Sequence, residues 1–164
     1  TAGLHFTRAL LDSLEKRGVI LAKLTLHVGA GTFLPMRSEE VENHRMHQEW
    51  YCIPPDTAQR VNGALKEGGK ILAIGTTVVR ALESAFEEKA GRVAAGGRRT
   101  GLFIYPGYRF RVVSQMLTNF HTPRSSLLVM VSAFAGRRTI LDAYETALRE
   151  GYRFFSYGDA MLIR

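Results

Sequence analysis

Two short apolar runs, each closed by a glycine turn, constrain this chain more than any other feature. Residues 19–28 are apolar and β-branched and end in Gly29-Ala30-Gly31. Residues 70–74 form the second run, and Gly75-Thr76-Thr77 leads from it into a helical pattern. Apolar segments of this length read as strands buried on both faces, the signature of a parallel sheet. Helical periodicity fills the intervals. Leu10, Leu11 and Leu14 share a face over residues 4–17, with Thr7 placed to cap and Gly18 to stop that helix. A second helix is expected from Asp56 to Glu67 before Gly68-Gly69, and a third over residues 78–89 with Thr76 or Thr77 as cap. Residues 102–105 and 108–113 flank Pro106-Gly107, a type II turn signal, and are expected to form a hairpin. An apolar segment at 127–134, a helix at 139–150 and a short apolar strand at the C-terminus complete the chain. The order argues an α/β fold with a mostly parallel sheet, flanked by helices and extended by a hairpin.

The length of 164 residues suits a single α/β domain spanning 1–164. No apolar run approaches 18 residues, so no membrane span is expected, and the first residues carry no secretory signal pattern. There is no initiator Met, and the chain opens on a motif-like segment, so upstream sequence is expected to be missing. Cys52 is the only cysteine, which excludes an internal disulfide and fits a reducing cytoplasm. The net charge of +7 favours polyanionic partners.

Candidate chemistry concentrates between Leu26 and Tyr51. The turn Gly29-Ala30-Gly31 is able to offer backbone amides to a carboxylate or phosphate. It is not a dinucleotide fingerprint, since Leu34 stands where a third glycine belongs. His44, His47 and Glu49 follow, beside the only tryptophan, Trp50. His44 and His47 are three residues apart, but the zincin pattern His-Glu-x-x-His is missing, so no metal is expected. Acid–base or substrate-orienting work by His47 and Glu49 is the favoured reading. Gly75-Thr76-Thr77 stands between a strand and a helix N-terminus, where α/β folds bind ligands; the alternative is simple capping. Arg80 and Glu83, one turn apart, are expected to face the same pocket. Residues 90–101 are glycine-rich and basic and read as an exposed loop. Arg109 and Arg111 share one face of the second hairpin strand, opposite Tyr108, Phe110 and Val112. This stripe suits phosphates beside stacked bases, or is a solvated face over a core. Asp159 is placed to accept from a ribose hydroxyl or to cap a turn.

Several motifs taken together resemble one family. They are Thr1-Ala2-Gly3-Leu4-His5-Phe6-Thr7, residues 26–33, His44-Arg45-Met46-His47-Gln48-Glu49-Trp50-Tyr51, Gly75-Thr76-Thr77-Val78-Val79-Arg80-Ala81-Leu82-Glu83-Ser84, Phe103-Ile104-Tyr105-Pro106-Gly107-Tyr108, Leu117-Thr118-Asn119-Phe120-His121, Ser132-Ala133-Phe134-Ala135-Gly136 and Phe154-Phe155-Ser156-Tyr157-Gly158-Asp159-Ala160. In this order they resemble the S-adenosylmethionine:tRNA ribosyltransferase-isomerases of queuosine biosynthesis.

The resemblance implies that this chain is the C-terminal half of a two-domain enzyme whose inserted small β-barrel is absent here. It implies transfer and isomerisation of the ribosyl unit of S-adenosylmethionine onto the aminomethyl group of the 7-deazaguanine base at the tRNA wobble position. Epoxyqueuosine forms, and adenine and methionine leave. S-adenosylmethionine is then the cosubstrate, with no further cofactor. The expected partner is the tRNA anticodon stem-loop, and a cytoplasmic monomer is expected. On this reading His47 is the favoured base, oriented by Glu49, with His27 or His44 as alternatives. Gly29, Gly31 and Thr32 hold the methionine carboxylate or ribose, and Gly75, Thr76 and Thr77 close the pocket beside Arg80. Trp50 or Tyr105 stacks on a base, and Arg98, Arg99, Arg109 and Arg111 contact phosphates. Two other readings stay open: a noncatalytic RNA-binding domain, and an RNA methyltransferase that releases S-adenosylhomocysteine.

Overall fold

The computed structural model describes residues 1–29, 36 and 41–164. Gly31 and Thr32 lie outside the described residues.

A short 3-10 turn, Ala2–His5, precedes α1 (Arg8–Lys16). Thr7 caps α1 as expected, its Oγ1 accepting from the Leu10 amide at 3.2 Å, and Gly18 ends it at φ +83°. Strand β1 (Thr25–His27) pairs antiparallel with β2 (Glu49–Ile53). Helix α2 (Pro55–Lys66) starts on a proline rather than on an Asp56 cap, since the ring fixes φ and its missing N–H costs nothing at the first turn. Strand β3 (Leu72–Ile74) feeds through Gly75 into α3 (Thr76–Ala85). The small strands β4 (Phe86–Glu87) and β5 (Arg92–Val93) pair with each other and cut α3 short of the expected Lys89. Strands β6 (Gly96–Thr100) and β7 (Gln115–Asn119) follow. The chain ends with α4 (Ser126–Ala135), α5 (Arg137–Arg149) and β8 (Ala160–Ile163).

The expectation of a mostly parallel sheet is overturned. The described strands form three small sheets, ordered β1-β2-β6, β3-β7-β8 and β4-β5. Only β3 and β7 pair in parallel; every other pairing is antiparallel. The first apolar run is not a doubly buried strand. Only Thr25–His27 is extended, at the sheet edge, and Val19, Ile20 and Val28 are exposed. The glycine- and arginine-rich segment read as a loop supplies β6, which extends β2 through five register pairs. The charged arginines suit it as an edge strand.

The hairpin expected around Pro106-Gly107 forms no ladder. Its turn exists, with the Tyr108 amide donating to the Tyr105 carbonyl at 3.0 Å and Gly107 at φ +101°. The amides that a ladder needs go instead to one carboxylate. Glu83 accepts from the backbone N–H groups of Arg111, Val112 and Val113 at 2.9, 3.0 and 2.9 Å, and from the Tyr108 hydroxyl at 3.2 Å. Burial still alternates along the segment: Arg109 and Arg111 are exposed, and Val112 is buried.

Helix α3 lies between the two larger sheets, touching β1 and β6 of one and β3 and β7 of the other. Its Val79, Ala81, Leu82 and Ala85 join Tyr51 and Ile53 of β2, Met116 of β7 and Met130 and Val131 of α4 in one core. Helix α4 is apolar around most of its surface and packs on α5 across Gly136, whose φ of +88° makes the corner. Among the described residues no helix is long and apolar enough to cross a membrane.

Candidate active site

The parallel pair β3–β7 determines where a site forms. Both strands end on the same side. Gly75 then turns into α3, and the segment after β7 turns into α4 at Ser125. A cavity of about 290 Å³ opens where these strand ends and helix N-termini meet. Gly75, Thr76 and Thr77 form one wall, and Thr118, Asn119 and His121 another. Gly75 is required there by its φ of +96°, a region that side chains rarely enter. Thr76 is buried, and no hydrogen bond to its hydroxyl is present among the described residues. The first amides of a helix lack internal partners and carry its positive dipole end, so a wall of this kind favours anionic or hydroxyl-bearing ligands. At the second helix Ser125 Oγ takes up the Leu128 amide at 3.1 Å and donates to the Thr122 carbonyl at 2.8 Å.

His121 is the titratable side chain of the cavity wall. Its Nε2 lies 2.9 Å from Thr118 Oγ1, and its backbone N–H donates to the Tyr144 hydroxyl at 2.8 Å. Burial pushes its pKa down from 6.5 to about 4, so the ring is neutral at physiological pH. This has a measurable consequence. The unfolded chain binds a proton at His121 below about pH 6.5, and the folded one only below about pH 4. Stability is therefore unaffected by His121 above pH 6.5. It falls as pH drops from 6.5 to 4, by about 3 kcal/mol at most. Urea unfolding across this range will show that slope in the wild type, and a flatter one in His121→Gln.

Asn119, on the cavity wall, bonds to both ends of the chain. Its Oδ1 accepts from Thr1 Oγ1 at 3.0 Å. Its Nδ2 faces His5 Nε2 at 3.3 Å and the Gly158 carbonyl at 3.4 Å. Both ends of the chain are thus fastened beside β7. Phe155, on the cavity rim, has φ +69°, a strained conformation for an aromatic residue. Strain of this sort costs on the order of 1–3 kcal/mol and gathers at ligand sites. Asp159 caps its own turn, accepting from the Arg153 amide at 2.7 Å. That backbone hydrogen bond is the main reason its carboxyl titrates below the usual range.

The residues expected from sequence divide into three groups. Gly75, Thr76 and Thr77 line the cavity. Glu49 and Arg80 do not line it but lie buried together, with Arg80 Nη1 2.6 Å from Glu49 Oε2. Glu49 Oε1 also accepts the Gly29 amide at 3.1 Å, and Arg80 Nε donates to the Leu102 carbonyl at 3.0 Å. Arg80 Nη2 is buried with no hydrogen-bond partner among the described residues. Burial lowers the Arg80 pKa, and Glu49 opposes that shift. Glu49 thus turns inward, while His47 is exposed on the chain before it. Arg80 and Glu83 serve different partners rather than one pocket. His44 stands edge-on to Phe103 at 5.0 Å, and burial, then the neighbouring His47, lowers its pKa.

The third group lies on the sheet surfaces. His27 and Trp50 meet edge to face at 4.7 Å. Tyr105 is exposed and stacks at a tilt on Phe103. All four arginines are exposed, but Arg98 is paired with Glu87 at 3.0 Å and Arg111 with Glu88 at 2.6 Å. No ion pair of Arg99 or Arg109 is present among the described residues. Among those residues no cluster of three or more His, Cys, Asp or Glu groups forms a metal cage.

Thr118, Asn119 and His121 were not singled out as site residues from sequence. Their signal was a polar loop following a short run, 115–119, whose mixed composition does not announce a strand.

Comparison with known proteins closes the question of kinship. An S-adenosylmethionine:tRNA ribosyltransferase-isomerase of Geobacter metallireducens is 56% identical over 163 residues, covering 99% of this chain and 47% of the relative. One from Treponema denticola is 53% identical over the same length, with 47% of it covered. The solved structure of an S-adenosylmethionine tRNA ribosyltransferase from Thermotoga maritima superposes with a TM-score of 0.81 at 41% identity, covering 100% of this chain and 52% of that one. The chain therefore spans about half the length of the relatives it matches. A family model described as queuosine biosynthesis protein matches residues 1–163, and the chain belongs to that family.

Proposed function

We propose that this chain carries the S-adenosylmethionine-handling domain of a tRNA ribosyltransferase-isomerase. The enzyme moves the ribosyl unit of S-adenosylmethionine onto the aminomethyl-deazaguanine wobble base and releases adenine and methionine. The observation that carries the reading is the cavity between two helix N-termini at the ends of the parallel strands. A cosubstrate with a carboxylate, ribose hydroxyls and a leaving base matches its hydroxyl- and amide-lined wall. The extent of the relatives supports a further part of this reading: the 164 residues are one domain of a larger enzyme.

The chemistry needs three proton transfers. The sulfonium acidifies the C5′ protons of the donor. A base takes one of them, leaving the electron pair of the C–H bond on C5′. Adenine departs with the electrons of its glycosidic bond and takes up a proton. The amine gives up a proton as its nitrogen bonds to the ribosyl unit, and methionine leaves with the electrons of the C5′–S bond. Of the described histidines, His121 is the one on the cavity wall, and its neutral ring leaves a nitrogen lone pair free of a proton at pH 7. It joins His47, His44 and His27 as a candidate for the proton work. Gly75, Thr76 and Thr77 bind the donor, and Glu49 with Arg80 fixes the Gly29 amide at the start of the glycine turn. The exposed arginines favour the tRNA backbone.

The test incubates the protein with S-adenosylmethionine and tRNA bearing the aminomethyl-deazaguanine base, and measures the small-molecule products. Release of adenine and methionine that depends on tRNA is expected. Release of S-adenosylhomocysteine instead would establish methyl transfer. Tight tRNA binding without products would make the chain a binding module.

A further inference from the structure

Register in the first sheet places three of the sequence-selected residues side by side, outside the cavity. His27 of β1 is opposite Trp50 of β2, and Trp50 is opposite Arg99 of β6. Residues directly opposite in antiparallel strands share a face. The same pairing adds Thr25, Cys52 and Gly97 as the next row of that face. The other face of β2 carries Glu49, Tyr51 and Ile53 and is buried.

Three details make this outer face unlike an ordinary solvated one. First, Trp50 is braced. The edge contact with His27 holds one side, and the indole lies over Gly97, where an added Cβ would come within 3.1 Å of Trp50 Cζ2. The glycine is the space that lets a large ring lie against the sheet. Second, the six residues of the face include no carboxylate. Arg98, on the opposite face, is tied to Glu87, whereas Arg99 is exposed and no ion pair of it is present among the described residues. Third, His27 and Arg99 are both exposed and flank the half-buried indole, so the aromatic surface is reachable from solvent between two groups able to meet a phosphate.

We infer that the His27–Trp50–Arg99 row is a stacking platform for an unpaired nucleobase of single-stranded RNA, with Arg99 against the adjoining phosphate. The inference rests on the ribosyl-transfer reading only for the identity of that RNA as tRNA. Unpaired bases present an open π-face that duplex RNA does not, and a fixed indole receives it at little entropic cost. The net charge of +7 brings the polyanion to the surface. This role moves His27 from proton transfer to RNA contact, and joins Trp50 and Arg99 in one site.

Because Trp50 is the only tryptophan, its emission reports this site alone. A short single-stranded RNA oligonucleotide should quench it saturably, and the same sequence in duplex form far less. Base–aromatic stacking is worth about 1–3 kcal/mol, so Trp50→Ala should weaken binding of a fluorophore-labelled oligonucleotide roughly 5- to 150-fold, with Trp50→Phe close to wild type. Arg99→Ala should reduce the salt dependence of log K by about one phosphate contact. Unchanged emission on adding the oligonucleotide, or equal quenching by duplex, would overturn the platform. The two proposals fail separately. Wild-type turnover with an unaltered KM for tRNA in Trp50→Ala removes the platform alone. Intact quenching without adenine release removes the ribosyl-transfer reading alone.

Discussion

Arg80→Met will lower the unfolding free energy by about 3–5 kcal/mol, because it breaks an ion pair made inside a buried layer. Both side chains are almost wholly buried, 1% and 3% exposed, and their contact is 2.6 Å. A surface ion pair at the same distance would contribute less than about 1 kcal/mol, so burial decides the size of the effect. The loss arises from changing one member of a buried pair while the other keeps its charge. For that reason the double variant Arg80→Met/Glu49→Met should be more stable than either single variant. Urea denaturation of the four proteins closes the cycle. Additive losses would mean that the two groups do not act as a pair. The Glu49 variants also release the Gly29 amide, so a raised KM for S-adenosylmethionine is expected on the ribosyl-transfer reading.

Glu83→Ala will cost a similar amount, about 3–5 kcal/mol, by a different route. One buried carboxylate satisfies three consecutive backbone amides and a phenol. Removing it orphans donors that no ladder is present to accept. Glu83→Gln should lose less, since one amide oxygen still accepts. Tyr108 supplies an independent readout. Its phenol is held above the ordinary range by burial first and by Glu83 second. In Glu83→Ala the absorbance titration of Tyr108 should therefore move down without returning to the value of a free tyrosine. An unchanged Tyr108 titration would mean that the carboxylate does not reach the ring in solution.

These two glutamates also mark where sequence reasoning stopped. Local rules located most helices: Thr7 as cap, Gly18 and Gly68 as stops, and Gly75-Thr76-Thr77 as the passage from strand to helix. Alternation was legible too, since Arg109 and Arg111 point outward as a two-residue period requires. What failed were inferences that needed a partner far along the chain. Residues 108–113 have the composition of a strand, but the amides of Arg111, Val112 and Val113 are taken by Glu83, 28 to 30 positions away. Glu49 looked like a companion for His47, two residues off, until Arg80, 31 positions on, drew it inward. The β6 segment carries glycines and arginines that local propensity assigns to a loop. It becomes a strand because β2 offers a ladder and Trp50 needs the space at Gly97. Parallel order was inferred from apolar runs, and those runs proved to be short edge strands of two separate small sheets. The candidate site was legible at its α3 wall, where a motif carries it. It was not legible at His121, whose low pKa comes from burial that no neighbouring residue announces.

The two anchors on α3 divide the molecule into parts of unequal persistence. Arg80 is locked to one sheet and Glu83 fastens the 111–113 segment. Opening α3 therefore requires breaking both at once, together with the core around Val79 and Ala81. By contrast α1 buries none of its residues and is free to unwind alone. Among the described helices, the opening of lowest free energy is expected at that end, whereas the segments around α3 are expected to separate late. A protease searching for transient openings would thus cut near α1 while the cavity and its hydrogen bonds were still intact.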